Sequence, residues 1–356
     1  MKCIRALYGW FLICLFFAPL SAAQVYRVTD LGTLQGSCCS AAYAINFSGS
    51  IAGSSNDAFL WNGQSSINDL GTLPGGTFSS AMAINNLNQV VGYSNGLDFD
   101  QHAFLWSSNT GMQDLGTLRR AIYSEAFAIN DAGVVVGDSA SPDGFDHAFR
   151  WTARYGIRDL GTLAPGNISR ATGINYFAQI VGYSTIDDTN QTYHAFFFQL
   201  GNGMQDLGTL PGDDNSFALG INIFGQVVGE SVLTGANNDH AVLWTENQIQ
   251  DLGLLPSGTI SVATAINDVD QVVGYADFGD GPGATHAFVW SNLRGMQDLN
   301  DLIPNDSGWT LLQANALNVY GQIVGIGMIN REPHAFLLSL GGPIHKKHGR
   351  SRLNLN

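Results

Sequence analysis

Histidine and aspartate are the residue types here best able to hold a metal or move a proton, and both recur on a fixed beat. Histidine stands at His102, His147, His194, His240, His286 and His334, each followed by Ala and then by Phe or, once, Val. Aspartate opens the string Asp-Leu-Gly-Thr-Leu at Asp30, Asp69, Asp114, Asp159 and Asp206, with variants at Asp251 and Asp298. A single His/Asp pair would suggest a hydrolase or a metal centre. Seven graded copies argue otherwise, because an enzyme needs one site and a metal needs several ligands converging at close spacing. Each unit offers at most one His, and the first has Asp57 in its place. These residues are therefore expected to tie strands together by buried hydrogen bonds, since buried polar groups must be paired. Trp61, Trp106, Trp151, Trp244 and Trp290 follow the Phe or Val of the same marker by two positions and are expected to pack between units. No Gly-x-Ser-x-Gly nucleophile elbow stands out, since the match at Gly92-Tyr93-Ser94-Asn95-Gly96 falls in a β-strand pattern with no helix after it, and no phosphate-binding glycine loop stands out either. The Asp box of sialidases and the Trp-docking motif of quinoproteins are also absent.

The second set of candidate residues varies from copy to copy. Segments 95–101, 140–146, 185–193, 233–239 and 277–285 differ in length and sequence, and most are rich in Asp beside Gly or Asn. They contribute Asp98, Asp100, Asp143, Asp146, Asp187, Asp188, Asp277 and Asp280 as candidate ligand-binding residues. Hard cations want several oxygen ligands on a flexible loop, so Ca²⁺ is the cofactor these segments suggest. None matches a full EF-hand pattern.

The elements that must carry these residues are visible as a repeat. The Asp-Leu markers are spaced 39, 45, 45, 47, 45 and 47 residues apart, and a further marker, Ile-Asn or Leu-Asn, ends at Asn46, Asn85, Asn130, Asn175, Asn222, Asn267 and Asn318. Within the second copy, segments 80–85, 89–94, 102–106 and 112–118 are short, β-prone and bounded by turn residues. The residue before the second strand is Gly49, Asn88, Gly133, Ala178, Gly225, Asp270 or Gly321. Gly, Asn and Asp tolerate the positive φ of a tight hairpin, so Ala178 predicts strain or a different turn. A Gly recurs inside the second strand, from Gly53 to Gly325, and reads as room for the neighbouring unit. Four short antiparallel strands per unit of about 45 residues is the pattern of a propeller blade. Segment 26–34 is an orphan fourth strand, and the last unit lacks its fourth. Pairing the two closes a ring and leaves no open edge. The predicted fold is all-β, a seven-bladed β-propeller over residues 24–341, closed by the N-terminal strand.

Three stretches resemble the HAF family of bacterial extracellular repeats. They are His-Ala-Phe-Leu-Trp at His102, Asp-Leu-Gly-Thr-Leu-Pro-Gly-Gly at Asp69 and Ile-Asn-Ile-Phe-Gly-Gln-Val-Val-Gly at Ile221. The resemblance covers roughly residues 30–340. It implies export and a repeat fold, and it carries no chemistry.

Export is also read from the first residues. Lys2 and Arg5 precede an apolar run over 6–18, and Ser21, Ala22 and Ala23 suit cleavage before Gln24, so residues 1–23 are expected to be a signal peptide. The mature protein would be secreted or periplasmic, with no second stretch apolar enough to span a membrane. Only the neighbours Cys38 and Cys39 remain beyond the signal, which is not a disulfide framework. All 29 acidic residues lie between 24 and 341, against nine Arg and no Lys, a net charge of −20 that repels nucleic acid and anionic membranes. Lys346, Lys347, Arg350 and Arg352 make residues 342–356 a short basic tail, expected to be disordered. The function these features favour is an exported, non-enzymatic binding or interaction module for a cell-surface, glycan or protein ligand. The alternatives are a carbohydrate-active propeller enzyme (lyase or glycosidase) and a multivalent sugar-binding lectin. An enzyme would gather unique polar residues from several blades around one funnel; a lectin would repeat its contacts blade after blade.

Overall fold

The computed structural model describes residues 26–63, 66–97, 100–189, 191–236, 238–246, 248–278 and 284–341. The expected signal peptide and basic tail lie outside these residues. The described strands form seven four-stranded antiparallel sheets arranged as a β-propeller. Blade 1 runs Ala41–Ile45, Ile51–Ser55, Asp57–Trp61 and Asn68–Asp69; blade 2 runs Ser79–Ile84, Val90–Asn95, Gln101–Ser107 and Gly111–Asp114. The first strands of blades 3 to 6 are Ser124–Ile129, Ser169–Ile174, Asn215–Ile221 and Ser261–Ile266. Blade 7 is Trp309–Leu317, Ile323–Ile329 and Glu332–Leu340, completed by Tyr26–Asp30. The register of that closure sets Tyr26 against Leu340 and Asp30 against Phe336, as the orphan strand requires. No helix among the described residues is long and apolar enough to cross a membrane.

The first strand of each blade touches the first strand of the next, and blade 1 touches blade 7, so these strands line the axis. The chain enters each first strand from one face of the disc. That face, the loop face, carries the blade-to-blade links and the variable loops between second and third strands. The opposite turn face carries the tight turns between first and second strands.

Burial is distributed rather than central. Seven apolar clusters each span neighbouring blades; one joins Ala52, Leu60 and Leu70 of blade 1 to Ala81, Ile84 and Phe104 of blade 2. The Trp slot packs into these seams, with Trp106 against that cluster and Trp244 and Trp290 buried. The strand glycines serve a purpose other than the expected one. A Cβ on Gly92 would lie 1.9 Å from the Ser80 carbonyl oxygen, and one on Gly53 would lie 2.0 Å from that of Ala41. The room is for the first strand of the same blade, which bulges at that point, and not for the neighbouring unit. Ala178 keeps the common turn, with its N–H on the Asn175 carbonyl at 3.0 Å, and takes φ of 58° to do so. The strain expected there is present. Cys38 and Cys39 are free thiols.

Candidate functional site

The repeated polar residues are bonded within the scaffold. Six His Nδ1 atoms meet the marker Asp of the same sheet at 2.6–3.0 Å: His102 with Asp114, His147 with Asp159, His194 with Asp206, His240 with Asp251, His286 with Asp298 and His334 with Asp30. The last pair clasps the closing strand. The other Asp oxygen commonly accepts the N–H of the Gly two residues on, as Asp114 does from Gly116 at 2.7 Å. These pairs are more open than expected: the His side chains are largely covered, but five of the six carboxyls are 38–46% exposed. In blade 1, Asp57 takes the His slot, and burial together with the charge of Asp69 raises its pKa.

Each marker Asn does two jobs. Its Oδ1 caps the following turn; Asn85 accepts from Leu87 and Gln89 N–H at 3.0 and 2.9 Å. Its Nδ2 donates to the carbonyl of the marker Asn in the next blade at 3.0–3.2 Å, from Asn46 round to Asn318, which returns to Asn46. The sequence reading missed a second clasp. Ser40, Ser79, Ser124, Ser169, Ser216 and Ser261 stand six residues before a marker Asn. Each crosses a blade boundary; Ser79 Oγ accepts from Ala58 N–H at 2.9 Å and donates to the Gly71 carbonyl at 2.6 Å. The fixed offset was the available signal.

The loop carboxylates are bonded mostly to their own surroundings. Asp143 accepts from the Ser141 hydroxyl and Phe145 N–H. Asp187 accepts from Thr189, Gln191 and Thr192, which hold its pKa well below the usual carboxylate range. Asp277 takes the N–H groups of Thr259 and Ile260 at 2.6 and 2.7 Å. Asp98 and Asp280 lie outside the described residues. Asp100, Asp146 and Asp188 accept no side-chain hydrogen bond from described residues, and no group of three His, Cys, Asp or Glu side chains placed to hold a metal ion is found among those residues.

What the structure does gather is a set of side chains that breaks the repeat. One position on the second strand, between the Gly and the following Ser of most copies, holds Ser54, Tyr93, Asp138, Tyr183, Glu230, Tyr275 and Ile326. The residue paired with it on the first strand is Ala41 or Ser80 in blades 1 and 2, but Glu125, Arg170 and Phe217 in blades 3 to 5. Both positions lie at the loop-face ends of the inner strands. Side chains from blades 2 to 6 meet there. Gln101 donates to Glu125. Arg170 reaches back to Asp138 with Nε at 3.2 Å and Nη2 at 3.0 Å, its guanidinium 5.0 Å from the Phe127 ring. Tyr183 and Tyr193 of blade 4 stand edge-on and tilted to Phe217 of blade 5, at 5.0 and 5.7 Å between ring centres.

Two carboxyls in this arc are set for neutral pH. Asp138 is fully buried; its Oδ1 has no hydrogen-bond partner among the described residues. Burial raises its pKa to about 7 against the opposing pull of Arg170. Glu230, which accepts no hydrogen bond from described residues, is likewise raised to about 7 by burial and then by the negative charge of Asp239. Burial also lifts Tyr123 and Tyr183, whose neighbours include Asp138 and Arg170. Perturbed groups clustered at one end of the inner strands mark this arc as the candidate functional site. The signal in the sequence was this variation inside an otherwise constant strand, not in the loops.

Fold and site together define a seven-bladed propeller with one asymmetric polar site on its loop face. Comparison with known proteins agrees at the level of fold. A streptogramin B lyase structure superposes with a TM-score of 0.50 at 12% identity, covering 89% of this chain and 98% of that one. An oligogalacturonate lyase in complex with manganese gives 0.56 at 11% identity, covering 90% and 94%. No family model matches the sequence, and no curated protein does.

Proposed function

We propose that this chain is an exported binding propeller of the HAF kind that takes a single glycan-like ligand at the loop-face site. The observation that carries the reading is the break in the repeat. Glu125, Asp138, Arg170, Phe217 and Glu230 each appear in a single copy of their repeat position, on three successive blades around Tyr183, whose slot also holds Tyr93 and Tyr275, while the scaffold around them is copied seven times. A multivalent lectin would repeat its contacts, and these do not repeat. Aromatic rings beside carboxyl and phenol groups suit a sugar, whose C–H faces pack on rings and whose hydroxyls pair with the polar atoms. Calorimetric titration of the mature chain with a panel of neutral and acidic oligosaccharides tests it. Binding of one class with a stoichiometry near one is expected, weakened at least tenfold by Tyr183→Ala. A stoichiometry near seven, or binding that ignores Tyr183, refutes it.

A second reading has its own support. Asp138 and Glu230, with pKa values near the working pH, suit general acid and base roles, and both solved neighbours above are lyases by name. Under this reading the chain cleaves the sugar it binds. New reducing or unsaturated ends after incubation, lost in Glu230→Gln while binding persists, would favour it over binding alone.

A further inference from the structure

The turn face carries a second, separate feature. A cavity of about 600 Å³ opens there on the axis, lined by the seven Ile-Asn and Leu-Asn markers and the residues after them. Its wall is aliphatic. The marker amides beneath the mouth are spent on the ring of inter-blade bonds. Among the described residues, the charged ones lining it are Asp131 and Asp268.

Around the mouth stands a crown of apolar turn tips. Polar and small residues normally occupy such turns, yet Leu87, Phe177, Phe224, Val269 and Tyr320 sit at the same tip position in five blades, each 58–68% exposed. Phe47 and Tyr176 add to the rim. Most of the large apolar side chains exposed among the described residues are on this face rather than the loop face. Exposed apolar tips in five of the seven turns around one cavity mark an interaction site.

We infer that the turn face docks a basic segment of a partner protein, which places one large apolar side chain in the axial cavity. Three features point to that occupant. A small apolar molecule would fill the cavity and leave the crown exposed. A second copy of this chain would bring a second pair of Asp131 and Asp268 carboxylates into the same interface. A basic segment meets the two rim carboxylates and a repeat region bearing 29 acidic residues and no Lys, and an apolar anchor in a pocket is how such contacts concentrate affinity.

The test uses the mature chain and three short labelled peptides, read by fluorescence anisotropy. The first places a Phe-Leu pair among Arg and Ser residues, the second replaces Arg by Glu, and the third replaces Phe-Leu by Ser-Ser. The first is expected to bind at least tenfold more tightly than either of the others, and to weaken as salt rises. Phe177→Ser combined with Phe224→Ser changes only exposed tips, so melting should hold while that binding falls at least tenfold. Leu97→Ser, which changes an exposed side chain of the loop-face segment 95–101, should leave it unchanged. The inference is overturned by any of four results. They are no binding of the basic peptide at millimolar concentration, equal binding of the acidic one, binding indifferent to the double variant, or dimerisation of the chain that the double variant abolishes. Affinity that emerges only when residues 342–356 are removed would also overturn it, by making the chain's own basic tail the occupant.

Discussion

Glu230 and His147 show how the same principle of pairing sorts residues into site and scaffold. Glu230 holds its proton to about pH 7 in the folded chain, against about 4.3 when unfolded. Its raised pKa favours the folded state at low pH, and that advantage is lost as pH rises from about 4.3 through 7. Glu230→Gln removes the titration. Denaturant unfolding should find the variant similar to the parent at pH 4 and more stable at pH 8, on the order of 2 kcal/mol after allowing for partial solvation. An unchanged pH slope would mean that Glu230 ionises freely. His147 has the same sign from a different cause. The hydrogen bond to Asp159 raises its pKa, with burial opposing. Its stabilisation is therefore fully present below about pH 6.5 and fades as pH rises through the folded value. Burial works against ionisation of Asp159, but the His147 and Gly161 bonds outweigh it and lower that pKa, so the pair's contribution also fades in acid. His147→Ala should cost about 1 kcal/mol near pH 5.5 and less at pH 8.5, with ligand binding intact at both. Selective loss of binding at unchanged melting temperature would move the His into the site.

At the scale of the strand and turn, the seven copies serve as internal controls. Six of the turns before the second strand use Gly, Asn or Asp at the positive-φ position, and blade 4 uses Ala178. A left-handed Ala costs about 1 kcal/mol relative to Gly. Ala178→Gly should therefore raise the stability of the chain by roughly that amount in urea unfolding, offset in part by greater freedom of Gly when unfolded. A destabilised variant would show that the Ala178 methyl packs favourably enough to outweigh the strain. The strand glycines were legible as positions of close approach but assigned to the wrong neighbour. Spacing shows that a Cβ is excluded; it does not show which backbone excludes it. Only the bulge at Ala81, which pushes the Ser80 carbonyl toward Gly92, decides that.

The ring as a whole is closed by three kinds of contact. Tyr26–Asp30 completes blade 7, Asn318 bonds the Asn46 carbonyl at 3.2 Å, and Ser40 accepts from Ala335 N–H at 2.9 Å. Tyr26 and Leu31 are buried in the seams on either side, each contributing about 2 kcal/mol by burial. Removing residues 24–36 should leave an unpaired edge along Glu332–Leu340. The truncated chain is expected to aggregate or to lose its single cooperative transition in calorimetry. A monomer as stable as the parent would mean that the ring does not depend on its clasp.

The blade count, the order of strands and the closing strand were all readable from one chain, because a sevenfold copy makes local patterns their own replicate. Turn residues, strand length and marker spacing are local properties, and repetition averages out their ambiguity. The candidate site was not readable, for the complementary reason. Glu125, Arg170 and Phe217 share one repeat position and Asp138 and Glu230 another, so the period aligns them, but it does not show that side chains of different blades meet. The loops drew attention because they vary most, yet Asp187 and Asp277 are bonded to their own loops and links. What makes Asp138 notable is a buried Oδ1 with no partner among the described residues. Whether a carboxyl has a partner depends on which side chains of the next blade face it, and that facing exists only once the ring has closed.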